Sequence, residues 1–324
     1  MLAGHEANSA ASPLYVLLLG GLSAVLRDPM VAAGALFVGT RVALVLGLRG
    51  LGRATGVGDR VAVLGAPLLI LSPLLGSTIG METMLVITVM VYLAWTCVRG
   101  DAVWAGLTAG VLLWLRLDTV VIIAVLLLAT PALWRRWHVV IGCAAAVVTP
   151  WLVFSWIVLG SAVSDTLLIK SGTGWGHFVT GLVGHYGQPY TWAVGGVLVV
   201  GGAGLLSAVT WPWWRRHART GTSIAPGAGL AGAAYFGLIW SLDVPPFFWY
   251  YAPTLAALTL AASLELAAIS APTAARSVRA SGSCGTRSGR STGWTGGQDP
   301  VPLPATGTPP ASRERPSTVA TTSC

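Results

Sequence analysis

Lysine is almost missing from this chain: Lys170 is the only one, and charged residues of every kind fill just 9% of the 324 positions. Soluble globular proteins carry about a quarter charged residues, so this scarcity excludes an ordinary soluble domain. Cysteine is scarce too. Cys97 and Cys143 fall in apolar runs and Cys284 and Cys324 near the end, a scatter that offers no disulfide framework. The first residues, MLAGHEANSAAS, lack both a basic stretch and an apolar core, so no secretory signal opens the chain. There is no P-loop, no GxGxxG between strand and helix, no GxSxG and no zinc spacing. His177 and His185 are eight apart without a neighbouring cysteine or an HExxH pattern. Neither a metal nor a cofactor is expected.

What is present is hydrocarbon. Hydrophobic residues make up 54% of the chain and its mean hydropathy is +0.73, which points to a polytopic membrane protein. The formal net charge of +8 comes almost wholly from arginine in loops and at the C-terminal end. That distribution orients a membrane protein and does not call for nucleic acid.

Apolar runs follow one another from Pro13 to Ile269. The first, Pro13–Leu26, reaches about 21 Å as a helix against a hydrocarbon core of about 30 Å, so it is expected at the interface or as a re-entrant piece. Pro29–Leu48 is long enough to span, with Arg49, Arg53 and Arg60 in a glycine-rich loop after it. The next runs are Val61–Leu75, Met84–Val98, Ala102–Trp114, Thr119–Leu133, Val139–Leu159, Tyr190–Val209, Ala225–Trp240 and Ala252–Ile269. Alternating them puts the clusters at Arg99, Arg135-Arg136 and Arg215-Arg216 on one side, the cytoplasmic one. Met1–Asp28 then falls outside with nothing to carry it there, so either Pro13–Leu26 spans after all or an earlier helix precedes this sequence, and the second is expected. The fold class expected is all-α: a transmembrane bundle of about eight or nine helices over 1–269 with a short interfacial N-terminal helix. From 270 to 324 the composition turns to Ser, Thr, Gly, Pro and Arg, and a disordered low-complexity tail is expected there.

Charges kept beside a bilayer are functional candidates. Glu82 opens Met84–Val98 on the outer side, as a helix-start carboxylate or as a partner of Arg116 across an outer cavity. Arg116 and Asp118 are two apart, so a continuous helix would point them to different sides and keep them from pairing. Two charges between apolar runs also argue that the helix breaks there. An outward arginine suits phosphate, either a bound headgroup or surrounding lipid. The polar loop from Gly160 to Pro189 holds Asp165, placed to cap a short helix, then Lys170 and His185. Asp243–Tyr251, including Tyr250, is an aromatic rim suited to the membrane interface or to stacking on a sugar.

Taken in order, Ser12-Pro13-Leu14-Tyr15, an alanine-rich helix ending in arginines, Gly80-Met81-Glu82-Thr83, Leu115-Arg116-Leu117-Asp118, Gly160–Lys170 and Trp249-Tyr250-Tyr251-Ala252-Pro253 resemble the bacterial GT-C membrane glycosyltransferases. The branch they are most similar to is the actinobacterial arabinofuranosyl- and mannosyltransferase-like proteins, over about residues 5–265. The family's Gly-(Met/Leu)-Glu-Thr matches Gly80–Thr83. Its Thr-Arg-Pro-(Asp/Glu) maps onto Leu115–Asp118 with Leu117 for proline, and its Pro-Asn-Thr with a following lysine becomes Ser164-Asp165-Thr166 and Lys170.

The resemblance implies a polyprenyl-phosphate-linked sugar donor and an envelope glycan, lipid or protein acceptor at the outer face of a bacterial plasma membrane. It implies Arg116 and Lys170 at the donor phosphate, Glu82 and Asp118 at sugar or acceptor, and Asp165, His185 and Tyr250 lining the substrate loop. The family's usual base lies in a first outer loop that this sequence begins too late to hold, with Glu6 as a poor substitute, so a truncated or inactive enzyme is also expected. The rivals are a transporter or lipid flippase, against which no second copy of either charged motif is found, and a non-catalytic remnant.

Overall fold

The computed structural model describes residues 12–72, 75, 78–161, 178, 180–181, 191–214 and 224–270. The chain divides into a unit over Met1–Pro272 and one over Thr273–Cys324. The second unit, with nearly all of the expected tail, lies outside the described residues.

Every regular element among the described residues is a helix. In chain order they are α1 (Pro13–Leu26), α2 (Pro29–Ala54), α3 (Arg60–Ile70), α4 (Thr83–Arg99), α5 (Ala102–Leu115), a 3-10 turn (Leu117–Thr119), α6 (Val120–Leu128), α7 (Pro131–Trp134), α8 (Trp137–Leu159), α9 (Thr191–Trp214), α10 (Ile224–Ser241) and α11 (Phe248–Ile269). Local chemistry sets the starts. Pro29 takes the first position of α2, where its missing N–H costs nothing, and the Asp28 carboxylate accepts from the backbone N–H of Met30 at 2.7 Å and of Val31 at 3.2 Å. Asp101 accepts from Trp104 N–H at the head of α5 in the same way.

Several boundaries differ from the sequence reading: α3 stops at Ile70, short of Leu75, the run Thr119–Leu133 divides into α6 and α7, α9 continues to Trp214, α11 starts at Phe248, and α2 is extended. Arg49 and Arg53 belong to the last turns of α2, which runs to Ala54, and are not in a loop. Arginine is a good helix former and cations are favoured at a helix C-terminus, so the helix continues past its apolar run. Both guanidiniums reach back to Asp59, Arg49 at 3.0 Å and Arg53 at 3.1 Å, and these hydrogen bonds hold the Asp59 carboxyl below the usual carboxylate range.

Among the described residues four helices are long and apolar enough to cross a bilayer: α2, α8, α10 and α11. They play different parts. α11 is mostly buried and packs against α3, α4, α9 and α10, so it is the centre of the bundle. α8 is mostly exposed, presenting Val153, Phe154, Trp156 and Ile157 outward. A helix showing large apolar side chains to its surroundings suits hydrocarbon and not water.

The broadest contact of the bundle is that of α5 with α8. Its cause is a pair of glycines one helical turn apart. A Cβ on Gly106 would stand 2.5 Å from the Val140 carbonyl oxygen, and one on Gly110 would stand 2.7 Å from that of Ala144. Small residues at such spacing let two helix backbones meet. Gly106→Leu is therefore expected to lower stability by about 1–3 kcal/mol, because the obstructing atoms are backbone and cannot yield. Gly142→Leu on α8, where nothing lies within 4 Å of an added Cβ, is expected to leave the thermal midpoint in detergent unchanged. Equal midpoints for the two variants would contradict this packing.

Candidate functional site

The charged motifs meet at the break between α5 and α6. Gly80 turns the chain with φ +82°, a left-handed conformation that a side chain would strain, and this turn delivers Glu82 to the head of α4. The Glu82 carboxylate makes no capping bond to the helix. It faces Arg116 instead, with Oε1 3.6 Å from Nη1. The expected pairing across the two motifs is present.

Arg116 ends α5 in extended backbone, φ −155° and ψ 118°, and the chain resumes as the 3-10 turn. The Thr119 hydroxyl fastens the break by donating to the Arg116 carbonyl at 2.6 Å. This geometry corrects one expectation. Arg116 and Asp118 do pair: Nε donates to Oδ1 at 3.1 Å and Nη2 to Oδ2 at 2.5 Å. The helical spacing rule that separates residues two apart has no force where the helix is broken.

Two tyrosines complete the cluster. The Tyr235 hydroxyl, from α10, donates to Asp118 Oδ2 at 2.8 Å and lies 3.4 Å from Arg116 Nη2. The guanidinium carbon of Arg116 lies 5.1 Å from the centre of the Tyr250 ring, within cation–π range. Tyr250 and Tyr251 are buried, so this part of the aromatic segment turns inward and does not form a rim. Tyr251 is held there by donating to the Phe178 carbonyl at 2.6 Å.

Burial ranks the three charged side chains. Asp118 is 7% exposed, Arg116 8% and Glu82 14%. Asp118 is saturated by a bidentate guanidinium and a hydroxyl, while Glu82 meets Arg116 only at long range and keeps lone pairs for another partner. The Arg116 fork is already occupied by carboxylate. Two carboxylates against one guanidinium leave the cluster with a formal charge of one negative. Beside it in sequence, Thr83 Oγ1 and Trp114 Nε1 are buried and find no hydrogen-bond partner among the described residues.

Glu6, Asp165, Lys170 and His185, with His177, lie outside the described residues. Of the expected site residues, Glu82, Arg116, Asp118 and Tyr250 are brought together. Tyr235 was missed by sequence reading. Its one signal was a hydroxyl-bearing aromatic within the Ala- and Gly-rich run of α10. Tyr235→Phe is expected to cost about 1.5–3 kcal/mol, the range for a bond to a charged acceptor, read as a lowered thermal midpoint. An unchanged midpoint would remove Tyr235 from the cluster. Arg41 was missed as well. It sits near the middle of α2, stacked 3.9 Å from the Phe37 ring centre, with its buried Nε unpartnered. A cation in mid-span is costly, and its sequence signal was its position inside Pro29–Leu48.

Comparison of the chain with family models, with curated proteins and with solved structures finds no match. Among the described residues no group of three or more His, Cys, Asp or Glu side chains is placed to hold a metal ion.

Proposed function

We propose that this chain is a multi-pass protein of the bacterial plasma membrane, with about eight or nine helices in the bilayer, and that it works as a glycosyltransferase of the GT-C type. The donor in this reading is a polyprenyl-phosphate-linked sugar. The acceptor is an envelope glycan, lipid or protein on the outer face.

The observation that carries the reading is the carboxylate pair mounted on Arg116 at a helix break inside an apolar bundle. Holding Asp118 and Glu82 there is expensive, and a guanidinium that fixes both makes sense where a carboxylate must stand in one orientation. Glu82, the more open of the two, takes the proton of the acceptor hydroxyl as that oxygen bonds to the anomeric carbon. The bond from that carbon to the phosphate oxygen breaks, and the lipid phosphate departs with the electron pair. Arg116 and Tyr235 position Asp118, and the Tyr250 ring backs the Arg116 guanidinium. The phosphate falls to Lys170, because the Arg116 fork is occupied.

A second reading, a transporter or lipid flippase, is favoured by the excess negative charge of the cluster, which a proton or a cation would neutralise. One preparation separates the two. Proteoliposomes holding the full chain, a radiolabelled polyprenyl-phosphate sugar and an acceptor glycan are expected to form labelled glycan without an ion gradient. Label that moves across the bilayer chemically unchanged, and only under a pH gradient, would replace the enzyme reading with the transporter.

A further inference from the structure

A second polar feature lies at the far end of α4 from the cluster, about 25 Å away for its 17 residues. There α2 and α4 enclose a groove of about 510 Å³ lined by Leu46, Arg49, Gly50, Arg53, Trp95 and Arg99, among others. Gly50 lets the Trp95 ring lie directly against α2 at its side. A Cβ at that position would come within 2.8 Å of the Trp95 ring.

Three guanidiniums converge here against one carboxylate, Asp59, which Arg49 and Arg53 share. Arg99 is exposed, lies 5.8 Å from the Trp95 ring centre and has no carboxylate partner among the described residues. The groove thus carries two positive charges in excess. It also continues into hydrocarbon. Val38, Val42 and Leu46 are exposed at four-residue intervals on α2 and lead directly to Arg49 and Arg53.

We propose that this groove binds an anionic phospholipid, with its phosphodiester between Arg99 and the Arg49–Arg53 pair and one acyl chain along Leu46, Val42 and Val38. Guanidinium forks match phosphate oxygens bidentately, and basic pockets between membrane helices on the cytoplasmic side suit anionic headgroups. The apolar stripe selects lipid over free phosphate, since a soluble anion gains nothing from it. The inference rests on the membrane reading and is independent of what Glu82 does.

The test is native mass spectrometry on the full chain in detergent with added dioleoylphosphatidylglycerol, dioleoylphosphatidylcholine or inorganic phosphate. Wild type is expected to retain phosphatidylglycerol in preference to the other two. Arg49→Ala/Arg53→Ala/Arg99→Ala is expected to lose at least about tenfold in that retention. The triple lysine variant, which keeps the charge without the fork, is expected to recover part of it, and Arg135→Ala/Arg136→Ala to behave as wild type. Equal retention by wild type and the triple alanine variant overturns the site, as does a preference for inorganic phosphate. Wild type found outside the carbonate-resistant membrane fraction overturns the membrane reading along with it.

Discussion

Arg116→Ala is expected to be the most destabilising single change in the described part of the chain, at about 3–5 kcal/mol. The cause is what remains behind. Among the described residues Asp118 would keep only the Tyr235 hydroxyl, and Glu82 would lose its one ion-pair partner. Two carboxylates in a helix bundle would then stand without a counter-charge, Asp118 keeping one neutral donor, and burying a charge without a counter-charge is far costlier than burying a satisfied pair.

The mechanism predicts a specific recovery. Removing the charges together, as Glu82→Gln/Arg116→Met/Asp118→Asn, is expected to restore most of the lost stability, because a buried ion pair contributes little net once desolvation is counted. The measurement is the thermal midpoint of each variant in one detergent. A triple variant no more stable than Arg116→Ala would show that the guanidinium acts through packing on Tyr250 and not as a counter-charge.

The second large effect concerns activity. Glu82→Gln keeps the size and hydrogen-bonding capacity of the side chain and removes its ability to accept a proton. Sugar transfer is expected to fall by about 10²- to 10⁴-fold, the usual contribution of general base catalysis. The thermal midpoint is expected to stay near that of wild type, since Glu82 is the outermost member of the cluster and its contact with Arg116 is long at 3.6 Å. Asp118→Asn should show the opposite balance. Its carboxylate is bound by Arg116 and Tyr235, so stability should fall more than the rate constant of the folded fraction. A Glu82→Gln enzyme with wild-type turnover would end the assignment of Glu82 as base.

These two residues also show how far local reading reaches. The motif Gly80–Thr83 and the break at Arg116 are visible in sequence because a charge between two apolar runs is locally anomalous, whatever lies around it. The expectation that Arg116 and Asp118 stay apart failed for a related reason. It assumed helical backbone at a position where the chain is extended. Tyr235 could not be placed by such reasoning, since its acceptor is 117 residues away.

The sequence by itself determined where helices start and stop. Apolar run lengths, Asp28-Pro29 and Asp101 act within a turn or two of themselves, and α1, α4, α5, α8, α10 and α11 end within about a residue of the runs read from them, whereas α2 and α9 run about five residues further and α3 and α6 stop about five short. It also determined that the outside of the bundle is apolar, because composition alone leaves too few charges to cover it. Only the tertiary structure decided which charges meet and what neutralises them. Pairing depends on helix packing, and helix packing here follows from small contacts far apart in the chain, such as Gly106 against Val140 and Gly50 against Trp95. A one-dimensional pattern fixes the face a side chain occupies, whereas the neighbour across from that face is set by the whole bundle.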